Sequence, residues 1–279
     1  MRVTSTVPGY VALGDVPGQL REAAWTDVYE SAYPEIFETY HSGWGKHERC
    51  LAAAADVPAE APRISAVESR ARDLVEQSER SFRTDGLLTE DLDVVLMVGG
   101  HTSNGWVAEL GETVTLFLAL EFLGEPPYDG VLVSHEAFHV AHSRHGADAW
   151  PEDGAASLFQ EGIAVAISRE THPGLDDSAY LWFDDAHTDW VADCAAAETA
   201  VVRRALEHLE TPYDDLACRA LFTIQDDERD LPPRAGYWLG DRLVRRLLDT
   251  HPTSTLLRWD HATATTALAA ELSAMTRAG

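Results

Sequence analysis

His135, Glu136 and His139 are the residues whose types and spacing can do chemistry. They stand as H-E-x-x-H, a pattern that binds zinc when it lies on a helix. On an α-helix, residues i and i+4 are offset by about 40° in azimuth and about 6 Å in rise, so two imidazoles so placed reach one ion. Glu136 lies beside them, within reach of a water next to that ion. The surrounding stretch is apolar on nearly every side (Val131, Leu132, Val133, Ala137, Phe138, Val140, Ala141), which marks a buried helix. Burying such polar groups without partners costs about 1–3 kcal/mol or more for each, and a metal ion removes that cost.

A catalytic zinc takes three protein ligands and keeps a fourth position open. Two candidates compete for the third place. Glu161, in F-Q-E-G-I-A, follows His139 by 22 residues and falls on the next expected helix. It sits at the edge of an apolar arc of Ala155, Leu158, Gly162, Val165 and Ala166. Gly162 is expected to let that helix approach the first closely. The other candidate is His145, because His135, His139, His142 and His145 run at metzincin spacing. There, however, His142 stands where the chain-turning glycine belongs, and the only downstream methionine is Met275 in a C-terminal helix. The pattern favours Glu161. His142, on the same helix face as His135, reads as a group behind the ligands or, with His145, as part of the helix end. Two imidazoles, a carboxylate and an open position suit Zn²⁺, one per chain.

With Glu161-Gly162 after it, His135-Glu136-x-x-His139 resembles the gluzincin, thermolysin-like arrangement of zinc metallopeptidases. More narrowly, the chain is similar to a bacterial family of predicted zinc-dependent proteases of unknown function. That likeness extends to Thr102-Ser103-Asn104-Gly105-Trp106 and to Ala235-Gly236-Tyr237-Trp238-Leu239-Gly240, and spans roughly Leu92 to Leu248. The resemblance implies a zincin-like fold with a small sheet beside the H-E-x-x-H helix. It implies metal ligation by His135, His139 and Glu161, with Glu136 as the general base. It also implies an oxyanion-stabilising group, for which Tyr237, with Arg234 nearby, is the candidate. Substrate backbone would pair with Asn104-Gly105-Trp106-Val107 or with the strand after it. One position departs from the pattern. Thermolysin-like enzymes carry an Asp four residues after the Glu ligand, and here Val165 stands there. Asp184, Asp185 and Asp189 remain as candidates to orient the imidazoles.

The elements that must hold these residues can be read from periodicity. Helical patterns run from about Gly18 to Tyr40 with a break at Pro34, from Lys46 to about Asp56, and from Ile64 to about Phe82. Val57 to Arg63 reads as a connector. Asp93 to Val98 is a short β-branched run, a buried strand. Trp106–Leu110 and Thr113–Phe122 read as a hairpin about Gly111-Glu112. Helices follow over about Asp129–Arg144, Asp153–Arg169, Ser178–Leu209, Tyr237–Leu248 and Thr263–Met275. The fold class expected is α+β, mostly helical, with a helical C-terminal half. The division expected is an N-terminal helical region over 1–90 and a catalytic domain over 91–279.

Composition narrows the function. The 279 residues carry 21 Lys and Arg against 47 Asp and Glu, a formal charge of −26. That charge argues against nucleic-acid and anionic-membrane partners. Cys50, Cys194 and Cys218 form no C-x-x-C pair, so reduced thiols and a cytoplasmic setting are expected. No apolar run reaches the roughly 20 residues of a membrane span. The eight tryptophans are scattered and read as packing. The function expected is zinc-dependent hydrolysis of peptide bonds. Alternatives are a zincin-fold enzyme acting on a small-molecule amide or biosynthetic intermediate, and a non-catalytic metal-binding module.

Overall fold

The computed structural model describes residues 1–43, 45–145, 150–224 and 230–278. Trp44 lies outside them. Among the described residues the chain is mostly helical with one small mixed sheet, an α+β arrangement. Its contacts divide it into two units, Met1–Val140 and Ala141–Gly279.

The first unit is built on four strands: β1 (Arg2–Ser5), β2 (Asp93–Met97), β3 (Gly105–Leu110) and β4 (Thr113–Ala119), in the order β1-β2-β4-β3. β1 and β4 run parallel to β2, while β3 pairs antiparallel with β4, Gly105 opposite Leu118. Gly111 turns the hairpin with φ +63°, a conformation that favours glycine. β1 was not expected in the first ninety residues: four residues leave too short a pattern to read, and it forms because Leu92 to Leu96 offer it a partner.

Helices α1 (Pro34–Gly43), α2 (His47–Ala53) and α3 (Val57–Thr84) belong to the same unit. α3 corrects one expectation, since Val57 to Arg63 is its beginning and not a connector. Pro58 falls in the first turn, where its missing N–H has no intrahelical partner to lose, and Pro62 deprives only the carbonyl one turn back. Val57, Ala61, Ile64, Val67, Ala71, Val75 and Phe82 keep helical spacing and are all buried. That continuous apolar face overrides the proline signal. The helix bearing the H-E-x-x-H motif, α4 (Tyr128–His145), begins in this unit, and the dividing point falls within it.

The second unit is helical. Its main elements are α5 (Gly154–Thr171), α6 (Thr188–Ala196), α7 (Glu198–Glu207), α8 (Ala235–Leu248) and α9 (His261–Ala278). The single helix expected over Ser178–Leu209 is broken. Phe183 adopts φ +61°, and the Asp184 carboxylate takes the Ala186 N–H at 3.0 Å, so the chain turns before α6. α5 is started by Asp153, whose side chain accepts the Ala156 N–H at 2.8 Å.

α5 and α8 cross with almost no space between their backbones. A Cβ on Gly162 would lie 2.3 Å from the Gly240 carbonyl oxygen, and one on Gly240 would lie 2.6 Å from that of Leu158. Gly162 therefore serves a close approach to the C-terminal helix α8, which corrects the expectation that it faces the H-E-x-x-H helix. Nearby, Arg169 of α5 makes two hydrogen bonds to the buried Asp241 of α8, at 3.0 and 2.9 Å, which fixes the register of the pair.

Because the obstacle at Gly162 is backbone and not a movable side-chain tip, Gly162→Ala and Gly240→Ala are each expected to cost about 1–3 kcal/mol or more. Gly14→Ala, in open space, is the control. Urea denaturation should show lowered midpoints for the first two only.

Candidate metal centre

α4 assigns its side chains to different neighbours, because each residue advances about 100° around the axis. Its start is anchored by the buried Asp129, which pairs with Arg70 of α3, while Arg70 also donates to the Gly124 carbonyl at 2.6 Å. One face follows α3: Ser134 meets Ser78 at 3.2 Å, and Phe138 meets Phe82 edge-on with ring centres 6.2 Å apart. About 100° away lie His135 and His139. About 200° away lies Glu136, against the sheet.

The two imidazoles converge. His135 Nε2 and His139 Nε2 are 3.3 Å apart. Two ligands on arms of about 2.0–2.1 Å at the tetrahedral angle stand about 3.3–3.4 Å apart, so this spacing matches the ligand separation of a tetrahedral metal site. A carboxylate oxygen of Glu161 on α5 belongs to the same group, with all three ligand atoms within 4.8 Å of one another. His135 is 2 % exposed, so its ring is drawn almost wholly out of water.

Glu136 is also buried, and the backbone of β3 shapes its place. A Cβ on Gly105 would lie 2.7 Å from Glu136 Cγ and 2.8 Å from Cδ. The first residue of the edge strand is thus a glycine where the carboxylate side chain packs on the sheet. Trp106 points to the opposite face, stacked between Tyr40 and Phe117 with ring centres 5.1 and 5.0 Å away.

The loop before β3 is held by a buried carboxylate. Glu121 Oε1 accepts the N–H of Gly99 at 2.7 Å and of His101 at 3.1 Å. The Tyr40 hydroxyl bonds Gly99 O and Thr102 from the other side. Burial pushes the Glu121 carboxyl above its ordinary range, with the two N–H groups opposing the shift.

His142 and His145 join no metal-binding group among the described residues. His142 is buried against aromatic rings, 5.6 Å from Trp150 and 6.0 Å from Phe159. Tyr237 and Arg234 do come together. Arg234 adopts φ +57° before α8, and its guanidinium lies 4.2 Å from the Tyr237 ring and 4.7 Å from that of Trp182. Asp184 is turned to His187 at 2.8 Å, and Asp185 and Asp189 lie exposed.

One residue escaped the sequence reading. The Tyr213 phenol is held above its ordinary range, first by burial and next by the negative charge of Glu161. Nothing in T-P-Y-D-D marks it. A ring row of Tyr213, Phe222 and Tyr237, with neighbouring centres 6.0 and 6.2 Å apart, links it to α8.

Comparison of the chain with models of known protein families, with curated proteins and with solved structures finds no match. The gluzincin resemblance therefore rests on the motif residues themselves.

Two measurements check this geometry. A crystal structure of Gly105→Ala is expected to show the Glu136 side chain displaced, at a stability cost of about 1–3 kcal/mol. The raised Glu121 carboxyl contributes stability that is fully present below its unfolded pKa and is lost as pH rises through the folded value. Glu121→Gln keeps the acceptor oxygen and removes the charge, so its stability relative to the parent should rise between pH 4 and pH 8. Denaturant unfolding across that window would show it.

Proposed function

We propose that this chain is a zinc-dependent hydrolase of peptide or amide bonds on a zincin-like scaffold, with one Zn²⁺ held by His135, His139 and Glu161. The observation that carries the reading is the convergence of three donors, with the two imidazole nitrogens set one tetrahedral edge apart. The donor set of two nitrogens and one carboxylate suits zinc, and three protein ligands leave a position for water or substrate. Bound there, the ion supplies Lewis acidity, lowering the pKa of a coordinated water toward ~7 and polarising a carbonyl.

This chain's own residues do the remainder. Glu136 takes the attacking water's proton and returns it to the leaving amine. Its burial against Gly105 holds the carboxylate in one place, which is what a proton shuttle needs. β3 is an edge strand and begins at that same glycine, so an extended substrate backbone paired along it is delivered to Glu136. Tyr237 and Arg234 stabilise the developing oxyanion in this reading. Arg234 is well suited to the task because two rings hold its guanidinium in a fixed plane. The substrate is a peptide or a small amide. The charge of −26 opposes a nucleic-acid partner, and among the described residues no helix is long and apolar enough to cross a membrane.

Glu136→Gln is expected to retain zinc and to lose about 10²–10⁴-fold in hydrolysis of a fluorogenic peptide panel. Glu161→Ala and His139→Ala are each expected to lose one equivalent of zinc by elemental analysis. Normal zinc content in Glu161→Ala, together with loss in His145→Ala, would overturn the ligand set.

A further inference from the structure

Glu30, His41 and His47 form a second convergent cluster, made of residues that the hydrolytic reading does not use. Their ligand atoms all lie within 4.8 Å of one another. Glu30 is 8 % exposed and sits in the turn Glu30–Ala32; His41 is near the end of α1, and His47 begins α2. The carboxylate presents one oxygen to each imidazole. Oε1 is 3.0 Å from His41 Nε2, and Oε2 is 3.9 Å from His47 Nδ1. The two rings meet edge to face, with centres 5.7 Å apart.

Two features separate this cluster from a simple ion pair. The first is preorganisation: the indole N–H of the fully buried Trp25 donates to Glu30 Oε1 at 3.1 Å, so the carboxylate is held by the core and not by the imidazoles. The second is spacing. At 3.9 Å the His47 nitrogen is too far from Oε2 to hydrogen-bond, so this pair is not closed by a direct contact. Ligand atoms of a tetrahedral zinc-class ion stand about 3.3 Å apart, so three donors within 4.8 Å of one another need only small side-chain adjustments to share one ion.

We propose that Glu30, His41 and His47 bind a second divalent transition-metal ion of the zinc class. The His41 and His47 side chains are 27 % and 52 % exposed, which leaves an entry path and gives the fourth position to water. The ion ties the turn at Glu30 to α1 and to the start of α2. α1 also carries Tyr40, which holds the Gly99–Thr102 loop and stacks on Trp106. The ion therefore braces the segment that leads into β3.

The test uses the full chain and Zn²⁺ alone. After chelation and dialysis, calorimetric titration with elemental analysis is expected to find two equivalents in the parent and one in His47→Ala. It should find one in His139→Ala and none in the double variant. His47 is half exposed, so its removal leaves the fold intact, which circular dichroism checks. Co²⁺ added to His139→Ala should give the visible absorption of tetrahedral cobalt, and none in the double variant. Equal zinc content in the parent and His47→Ala overturns this site, whatever His139→Ala does. Equal content in the parent and His139→Ala overturns the H-E-x-x-H centre instead and leaves this site standing.

Discussion

The chemistry available to this chain depends on α4 being buried from Asp129 to Phe138. A helix buried on every side must give each sector of its surface a partner that suits it, because a polar group left in the core without one is costly. Arg70 pairs with Asp129 at the start of α4 and sets its rotation. Ser134 and Phe138 then follow α3, and Glu136 packs on the first residue of β3. His135 and His139 are left to converge with their nitrogens 3.3 Å apart. The apolar residues of α4 thus set the azimuth at which its polar residues act.

Glycine carries much of the remaining precision, for two different reasons. At Gly162 and Gly240 it removes side chains between two helices, so that α5 and α8 meet backbone to backbone. The carboxylate of Glu161, one residue before that crossing, is mounted on the most closely packed helix pair of its unit. At Gly105 the missing Cβ makes room for the Glu136 side chain. The first use stiffens a support, and the second seats a carboxylate against the sheet.

Much of the fold was legible where the pattern was long or the punctuation strong. α4 was readable because an unbroken apolar run surrounds the motif, and the hairpin because Gly111 takes a positive φ between two β-rich runs. Legibility failed where tertiary burial outweighed local signals. Pro62 suggested a connector, yet the apolar face of α3 runs straight through it. The break at Phe183 and Asp184 carried no Gly or Pro to announce it. Four residues of β1 became a strand only because β2 had a free edge.

The same division applies to the candidate sites. The placement of His135 and His139 was settled by the sequence alone, since one turn of any α-helix brings residues four apart together. Glu136 was equally local in its identity as the neighbouring carboxylate. Which distant groups meet them was decided only by the tertiary structure. Glu161 could be weighed against His145 from spacing, but its entry into one donor group depends on how α5 packs. The cradle of Gly105 and the meeting of Glu30 with His41 and His47 had no signature in the chain. Periodicity encodes which face a residue takes on its own element, whereas the partner across that face is chosen by how whole elements bury their apolar surfaces together.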